Sequence, residues 1–184
     1  KGVARSIPVE DMDALLKATA DDLAAYTMLT LMYRAGLSST EITELNGPDD
    51  LVLYGEDGYV LLPERKEPCY IPPDAWAILM EYLDQREVHP SLFYTRSGRR
   101  LNTMYISRMM KKYCQKAGIS QYSAESVRNC CAFNLFSYGA TPGQVAEQMG
   151  RTQQQIRRYK GVSYRGNLRR KADELVKIRI ESPR

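Results

Sequence analysis

Residues 21–35, DDLAAYTMLTLMYRA, constrain the fold more than any other stretch of the chain. They are apolar over most of the surface that a helix would present, which predicts a helix buried on nearly all sides and central to the core. Gly36 follows, and glycine is the residue that most readily adopts the left-handed conformation at a helix C-terminus. The rest of the fold must therefore supply elements that cover this helix.

Helical spacing of apolar residues recurs along most of the chain. Glu10 and Asp11 stand in a first turn, where the helix dipole favours acids, and Ser38 and Glu41 have the spacing of a capping box. The predicted helices cover residues 9–19, 21–35, 38–45, 73–87 and 103–117, with two more within residues 123–150. The side chains expected to face the core are Trp76, Leu79, Met80 and Leu83 in residues 73–87, and Met104, Ile106, Met109, Met110 and Tyr113 in residues 103–117.

Short apolar runs bounded by turn residues predict three strands between these helices. Leu51–Tyr54 and residues 59–62 flank a turn at residues 55–58, and Cys69–Ile71 follows. The expected fold class is therefore mainly α with a small antiparallel β-sheet, an α+β fold. We expect residues 1–184 to form one domain, the C-terminal part of a longer protein.

The formal net charge of +4 hides a strong asymmetry along the chain. Residues 1–90 hold 7 Lys and Arg against 17 Asp and Glu, whereas residues 91–184 hold 19 against 5. A strongly basic half indicates a surface for a polyanion. A solvated basic surface without a partner is the plainer interpretation, and contact with nucleic acid is the one that we favour.

Metal binding and membrane association find little support in the sequence. The four cysteines, Cys69, Cys114, Cys130 and Cys131, show no Cys-x-x-Cys spacing, and the single histidine, His89, stands beside a proline. Structural zinc needs closely spaced ligand pairs, so we expect reduced core thiols and no metal site. No apolar run reaches the length of a transmembrane helix and no signal-peptide pattern is present, so we expect a cytoplasmic protein without membrane contact.

Residues 123–159 combine features that point to phosphate chemistry. Arg128 lies on a predicted helix, and Tyr159 stands among arginines further along the chain. A planar guanidinium holds phosphate oxygens in a bidentate manner, so these residues predict contact with phosphate groups. The alternatives are an ion pair between Arg128 and Glu125 one turn earlier, and a packing role for Tyr159, which is one of 13 tyrosines.

Several motifs, in order along the chain, resemble the catalytic domain of the tyrosine recombinases, the phage integrase family. The entry segment of that domain is similar to RSIP. Its apolar helix, Gly-Leu turn and Glu-Leu helix are similar to LMYRAGLSSTEITEL. The segment that bears its lysine is similar to the hairpin with IPPDAWAIL. The middle section of that domain is similar to SLFYTRSGRRLNTMYISRMMKKYCQKAGI. Its His-x-x-Arg helix is similar to SAESVRNCCAFNLFSYGATPGQVAEQMG, and its tyrosine segment to IRRYKG. The resemblance implies the integrase fold and DNA strand exchange, in which a tyrosine hydroxyl attacks the scissile phosphate without a metal or nucleotide cofactor.

The resemblance assigns part of the catalytic pattern to residues of this chain. Tyr159 stands at the nucleophile, Arg128 at the second arginine, and Lys66 near the hairpin lysine, with Arg65 as the weaker candidate. The basic residues expected to contact DNA are Arg99, Arg100, Lys111, Lys112, Arg157, Arg158 and Lys160.

Three positions depart from the family pattern. Ser38 stands where the first arginine is usual, Glu125 replaces the histidine of His-x-x-Arg, and Arg151 stands where histidine or tryptophan is usual. A serine supplies no charge to an oxyanion, and an ionised Glu125 repels the charge that Arg128 attracts. Arg34, one turn before Ser38, is a weak candidate for the vacant position.

These departures lead to competing hypotheses for the function. The first is a DNA-binding protein of this family, linked to DNA integration and recombination, with weakened or lost strand cleavage. The alternative is an active, divergent site-specific recombinase that forms a 3′-phosphotyrosine at Tyr159. The expected partner is double-stranded DNA, and a bacterial or phage origin is expected. Residues 163–184 predict a helix, and the resemblance implies that this helix docks on a neighbouring protomer.

Overall fold

The structure is a computed structural model that describes residues 4–159. Eight α-helices lie in this range, as does a 3₁₀ turn at Arg157–Tyr159. The helices are α1 (Val9–Ala18), α2 (Leu23–Ala35), α3 (Ser39–Glu44), α4 (Pro73–Gln85), α5 (Thr103–Ala117), α6 (Ala124–Ser137), α7 (Pro142–Met149) and α8 (Gln153–Ile156). Lys160 and the helix predicted within residues 163–184 lie outside the described residues. The mainly helical fold class is confirmed.

Helix α2 lies in the centre of the core, as predicted. The Asp22 side chain caps its N-terminus by accepting a hydrogen bond from the Ala25 amide, and Gly36 caps its C-terminus with a φ of 75°. Most of its side chains are buried, and it packs against both α4 and α6. The C-terminal carbonyl groups of α2 therefore lie close to α6.

A three-stranded antiparallel sheet in the order β1 (Leu51–Tyr54), β2 (Asp57–Val60), β3 (Cys69–Ile71) packs beside the helices. Strand β2 begins two residues earlier than predicted, because Tyr54 pairs directly with Asp57 across a two-residue turn. Strands β1 and β3 have the predicted bounds. The connection between β2 and β3 carries Arg65 and Lys66.

The buried faces of α4 and α5 differ in part from the prediction. Trp76, predicted to be buried in α4, is half-buried, and its ring lies so close to Gly58 that a Cβ there would be 2.2 Å from it. Met104 of α5 is 64% exposed, because it lies two residues, or about 200°, from Ile106 on the buried face. The buried side chains are Ala75, Ile78, Leu79 and Tyr82 in α4, and Ile106, Met109, Met110, Tyr113 and Cys114 in α5.

Helices α6 and α7 join the two ends of the described range. Ala4 lies in the same buried cluster as Ile156 and Tyr159, together with apolar side chains of α6 and α7. Helix α6 is buried on several sides, so Arg128 and Asn129 within it need hydrogen-bond partners inside the protein. None of the helices within residues 4–159 has the length and apolar character needed to cross a membrane.

Candidate functional site

Two helix C-termini meet at the place where the sequence predicts phosphate contact. Helix α2 ends at Gly36 and helix α7 ends at Gly150, both in the left-handed conformation. A Cβ at Gly36 would lie 2.5 Å from the Met149 sulfur, and one at Gly150 would lie 2.5 Å from Arg65 Nε. Glycine is therefore required at both positions by the positive φ and by the close contact. The close approach leaves the last carbonyl groups of two helices facing arginine side chains.

Arg128 of α6 binds both of these helix ends. Its Nε donates to the Gly36 carbonyl at 2.8 Å and its Nη2 donates to the Met149 carbonyl at 2.6 Å. The residue is only 6% exposed. A cation at a helix C-terminus is stabilised by the helix dipole, so this arrangement holds α2, α6 and α7 together. Burial, followed by the nearby charge of Arg151, lowers the pKa of Arg128, which stays protonated at neutral pH.

Arg65 lies beside Arg128 and forms a bidentate ion pair with Glu41. Its Nε and Nη2 donate to the two carboxylate oxygens at 2.6 and 2.8 Å, and its Nη1 donates to the Gln148 carbonyl at 2.7 Å. Burial opposes the charge of both partners, but their hydrogen bonds and mutual attraction outweigh it. The pKa of Glu41 is therefore lowered and the pKa of Arg65 raised. A bidentate pair of this kind is geometrically well defined and hard to displace.

Ser38 caps helix α3 in the predicted capping box. Its Oγ accepts a hydrogen bond from the Glu41 amide, and its own amide donates to Glu41 Oε1 at 3.0 Å. The Glu41–Arg65 pair therefore lies next to Ser38, where the family's first arginine is usual. Arg34 does not fill this position, because its Nε and Nη2 donate to the Asp74 carboxylate, each at 3.1 Å.

Glu125 and Arg151 form a second ion pair at the edge of the same group. Arg151 Nη2 lies 2.9 Å from Glu125 Oε1, and Glu125 Oε2 lies 4.0 Å from Arg128 Nη1. The Glu125 side chain is 44% exposed. We call Arg65, Arg128 and Arg151, with Glu41 and Glu125, the arginine cluster. It brings three of the predicted site residues together, namely Arg128, Glu125 and Arg151.

Tyr159 is fully buried and its hydroxyl is bonded within the protein. The hydroxyl donates to Asn129 Oδ1 at 2.9 Å, and the ring packs edge-on against Phe133 at a centroid distance of 5.5 Å. Asn129 also donates to the Arg5 carbonyl at 2.7 Å, so it ties the tyrosine to the N-terminal segment. Asn129 and Arg128 are consecutive residues of α6, whose side chains point about 100° apart, and the hydroxyl is bonded to Asn129.

Lys66 lies apart from the arginine cluster in the contacts that the structure describes. Its side chain is exposed, and residues 4–159 provide it with no hydrogen bond or ion pair. Arg65, the preceding residue and the weaker candidate from the sequence, is the one that points inward. The assignment of Lys66 to phosphate contact stays a prediction.

The residues predicted to contact DNA fall into two groups. Arg99, Lys111, Lys112 and Arg157 are exposed. Arg100 is exposed too, but its guanidinium donates to the Thr43 and Leu45 carbonyls and to the Asn46 side chain, at the C-terminal end of α3. The side chain of Arg158, like all of Lys160, lies outside what the structure describes.

The exposed side of α5 is a basic surface that bears on this question. It carries Arg108, Lys111, Lys112 and Lys116, and the helix contains no acidic residue. Lys112 and Lys116 lie over the Tyr113 ring. The distance from Nζ to the ring centroid is 5.1 Å for Lys112 and 5.9 Å for Lys116. We call these four residues the α5 basic face.

The cysteines and the histidine have packing roles in the described structure. Burial raises the pKa of Cys69 and of Cys130 to about 11 and that of Cys131 to about 12, which makes them poor nucleophiles at neutral pH. The His89 ring stacks on Tyr94 with centroids 4.5 Å apart. Within residues 4–159 no group of three or more His, Cys, Asp or Glu side chains is placed to hold a metal ion.

Sequence reasoning does not assign Glu41 and Asn129 to the site. The sequence identifies Glu41 only as the capping-box residue of α3. A signal for Asn129 exists, since a polar amide inside a buried helix needs partners, but the sequence does not identify those partners. Both residues bind groups that are distant along the chain.

Comparison with known proteins adds a family and a fold to this geometry. The sequence model described as the phage integrase family matches residues 5–164. No curated protein matches the sequence at a significant level.

Solved structures with the same fold come from recombinases and integrases. The XerA recombinase superposes with a TM-score of 0.77 at 17% identity, covering 90% of this chain and 61% of that chain. The XerH site-specific recombinase, bound to a palindromic difH substrate in a post-cleavage complex, has a TM-score of 0.73 at 18% identity, with coverages of 89% and 51%. A lambda integrase dimer bound to a COC′ core site has a TM-score of 0.68 at 14% identity, with coverages of 90% and 50%. The chain thus spans between 50% and 61% of the length of these three proteins.

Proposed function

The chain belongs to the phage integrase family, and on that premise we propose that it binds double-stranded DNA in DNA integration and site-specific recombination, with weakened or lost strand cleavage. The observation that carries this proposal is the state of Tyr159, which has no exposed surface and donates its hydroxyl hydrogen to Asn129. A nucleophile must lie close to the atom that it attacks and be activated there. A buried hydroxyl bonded to an amide oxygen meets neither condition.

The arrangement of the cations supports the same proposal. Arg65 is bonded to Glu41, and Arg128 to two helix carbonyl groups, so both guanidinium groups are engaged in holding the fold. Ser38 supplies no charge, and Glu125 places a carboxylate where a proton donor is usual. The loss of one charge-stabilising donor lowers a rate by about 10²–10³-fold, and the loss of general acid–base help lowers it by about 10²–10⁴-fold. Cleavage is therefore expected to be slow even if DNA is bound.

DNA binding itself needs exposed cations, and the α5 basic face supplies them. Lys and Arg side chains that neutralise phosphates release counterions, which makes binding strongly dependent on salt. Arg99 and Arg157 are exposed as well. The family's role in acting on DNA and the charge of residues 91–184 agree with this use of the surface.

The alternative function is an active, divergent recombinase that cleaves through Tyr159. The observation in its favour is that Arg65, Arg128 and Arg151 gather three guanidinium groups at one place in the structure, linked through Glu41 and Glu125. It requires the tyrosine segment to leave Asn129 and turn towards that cluster. A partner subunit or Lys66 would then fill the remaining vacancy.

Covalent trapping distinguishes the two functions. The longest natural form of the protein is incubated with nicked suicide duplexes of candidate recombination sites and with supercoiled plasmid, and adducts that survive detergent are sought. The proposal predicts salt-sensitive binding, no adduct, and equal DNA affinity of wild type and Tyr159→Phe. An adduct that disappears in Tyr159→Phe would establish the alternative instead.

Self-association and location complete the proposal. Residues 163–184 are assigned to docking on a neighbouring protomer when the protein is bound to DNA, and a DNA-acting protein of this family is assigned to the cytoplasm of a bacterium, of phage or bacterial origin. Removal of residues 163–184 is expected to lower the number of protomers bound per DNA in sedimentation experiments. An unchanged stoichiometry on DNA would remove this role.

A further inference from the structure

Two carboxylates face the arginines of the cluster, and the protein holds them very differently. The Glu41 side chain is 15% exposed and accepts two hydrogen bonds from Arg65 and one from the Ser38 amide. The Glu125 side chain is 44% exposed and accepts one hydrogen bond, from Arg151. Its other oxygen lies 4.0 Å from Arg128 Nη1, which is too far for a hydrogen bond. Glu41 is a fixed part of the fold, and Glu125 is loosely held.

The arginine donors that face Glu125 are not fully used. Arg151 Nε is buried and has no hydrogen-bond partner within residues 4–159. In the described structure, Arg128 Nη1 also has no acceptor at hydrogen-bond distance, although Nε and Nη2 of the same guanidinium each donate a hydrogen bond. A buried donor on a cation is expected to be bonded, so the unpartnered Arg151 Nε shows that this place has room for more acceptors than one carboxylate provides.

We infer that Glu125 is an exchangeable counterion that occupies an anion site formed by Arg128 and Arg151, and that a DNA phosphodiester displaces it. This inference rests on the proposed function, because the phosphodiester comes from bound DNA. It assigns to Glu125 an autoinhibitory contact: the protein supplies its own anion while no DNA is bound.

The charge balance of the exchange favours this assignment. The cluster holds three arginines against Glu41 and Glu125, and the replacement of Glu125 by one singly charged phosphodiester leaves that balance unchanged. Arg65 and Glu41 remain paired throughout. Once released, Glu125 stands in the first turn of α6, where the helix dipole and water both stabilise a carboxylate. The exchange therefore loses one partly exposed ion pair, an interaction that is weak in general.

A neutral variant tests the inference against a matched control. Glu125→Gln keeps the shape of the side chain and removes its charge, and Glu147→Gln removes the charge of an exposed acid on the neighbouring helix α7. Inorganic phosphate is titrated into each protein while the Nε–Hε resonances of Arg151 and Arg128 are followed by NMR, and DNA affinity is measured on the same proteins. A unit charge a few ångströms from the anion is expected to change its affinity about tenfold, and an exposed charge that water and salt screen, less than about twofold.

The expected result is that Glu125→Gln binds both inorganic phosphate and DNA about tenfold more tightly than Glu147→Gln does. The Arg151 resonance should move with phosphate in both proteins. Equal affinities of the two variants, or an Arg151 resonance that phosphate leaves in place, would overturn the inference.

The two ligands separate this inference from the proposed function. If Glu125→Gln strengthens binding of inorganic phosphate alone while DNA is bound equally by both variants, the assignment to a DNA phosphodiester is wrong. If no variant binds DNA at all, the proposed function fails, and the exchange with a phosphodiester fails with it.

Discussion

The arginine cluster and the α5 basic face carry the same sign of charge and use it in opposite ways. In the cluster, the side chains of Arg65 and Arg128 are buried. Arg65 is bonded to Glu41, and Arg128 to carbonyl groups at the ends of α2 and α7. On α5, the four basic side chains are exposed, and no acidic residue of the same helix neutralises them. The first set stabilises the fold from within and can bind an outside anion only where Glu125 is displaced from Arg128 and Arg151, whereas the second set is directly available to a partner.

This difference shows why the net charge of a chain does not measure how well the folded protein binds polyanions. A sequence count gives each Lys or Arg of either set the same weight. Only exposed cations can neutralise DNA phosphates, and so release the counterions condensed on the DNA, without breaking contacts inside the protein. A buried cation that already binds carboxylates and helix ends must first give up those partners.

The largest expected effect comes from Arg128. Arg128→Met removes the two hydrogen bonds that a buried cation donates to the Gly36 and Met149 carbonyl groups and leaves both carbonyls without that donor, so we expect the free energy of unfolding to fall by about 3–5 kcal/mol. Urea denaturation measures the change. Lys112→Met on the α5 basic face is the matched control and should alter stability by less than about 0.5 kcal/mol. Similar losses in both variants would remove the distinction between the two regions.

Substitution of Glu41 tests whether the stability that the arginine cluster provides depends on charge. The pKa of Glu41 in the folded protein is lowered below 4.5, since its bonds to Arg65 and Ser38 outweigh burial. Its stabilising contribution is therefore fully present above pH 4.5 and is lost as the pH falls through the lowered pKa. We expect Glu41→Gln to destabilise the protein by about 2 kcal/mol at pH 7 and by much less at pH 3.

Unfolding curves across this pH range check the sign of the effect. The exposed Glu56 provides the control, and Glu56→Gln should lie within about 0.5 kcal/mol of wild type at both pH values. A destabilisation in Glu41→Gln that stayed constant from pH 7 to pH 3 would show that shape rather than charge is responsible.

Substitution of Tyr159 tests whether the tyrosine segment is part of the buried region. Tyr159→Phe leaves Asn129 Oδ1 buried without the hydroxyl, so we expect a decrease of about 1 kcal/mol in the free energy of thermal or urea unfolding. Tyr105→Phe removes a hydroxyl from a side chain that is 40% exposed and should be neutral. Equal stability of wild type and Tyr159→Phe would indicate that the hydroxyl is not held in solution as it is in the structure.

The smallest effect on stability is expected on the α5 basic face, where binding changes instead. Lys111→Gln with Lys112→Gln should weaken DNA binding uniformly across sequences and lower the slope of log K against log salt by about 1 for each phosphate that the variant no longer neutralises. Unfolding should be unaffected. Arg100→Gln offers the contrast, because its guanidinium binds the end of α3 and its removal should lower stability without a change in slope. An unchanged salt slope in the double variant would place DNA elsewhere.

Much of the fold could be predicted because its signals are local. The capping box of α3, the glycines that end α2 and α5, and the apolar spacing of α5 each depend on residues within a few positions of one another. The errors arose where packing decides. Trp76 packs over Gly58 and is only half-buried, and Met104 is apolar but lies outside the buried side of α5.

The candidate site could be predicted only in part, because its bonds join distant residues. Arg128 meets a carbonyl 92 positions away, and Arg65 meets Glu41 24 positions away. No spacing rule within one segment reveals such partners. The sequence indicated that arginines and a tyrosine would matter, but it could not show that Arg65 rather than Lys66 points inward, or that Asn129 holds Tyr159.

The sequence by itself determined the helices and strands, the family pattern with its departures at Ser38, Glu125 and Arg151, and the basic character of residues 91–184. These properties follow from residue type and short-range spacing. Only the tertiary structure decided which charges are free, because a guanidinium becomes available or engaged according to the carbonyl and carboxylate groups that folding brings to it. The same reason applies to Tyr159, whose hydroxyl is directed by Asn129 and not by its neighbours in the chain.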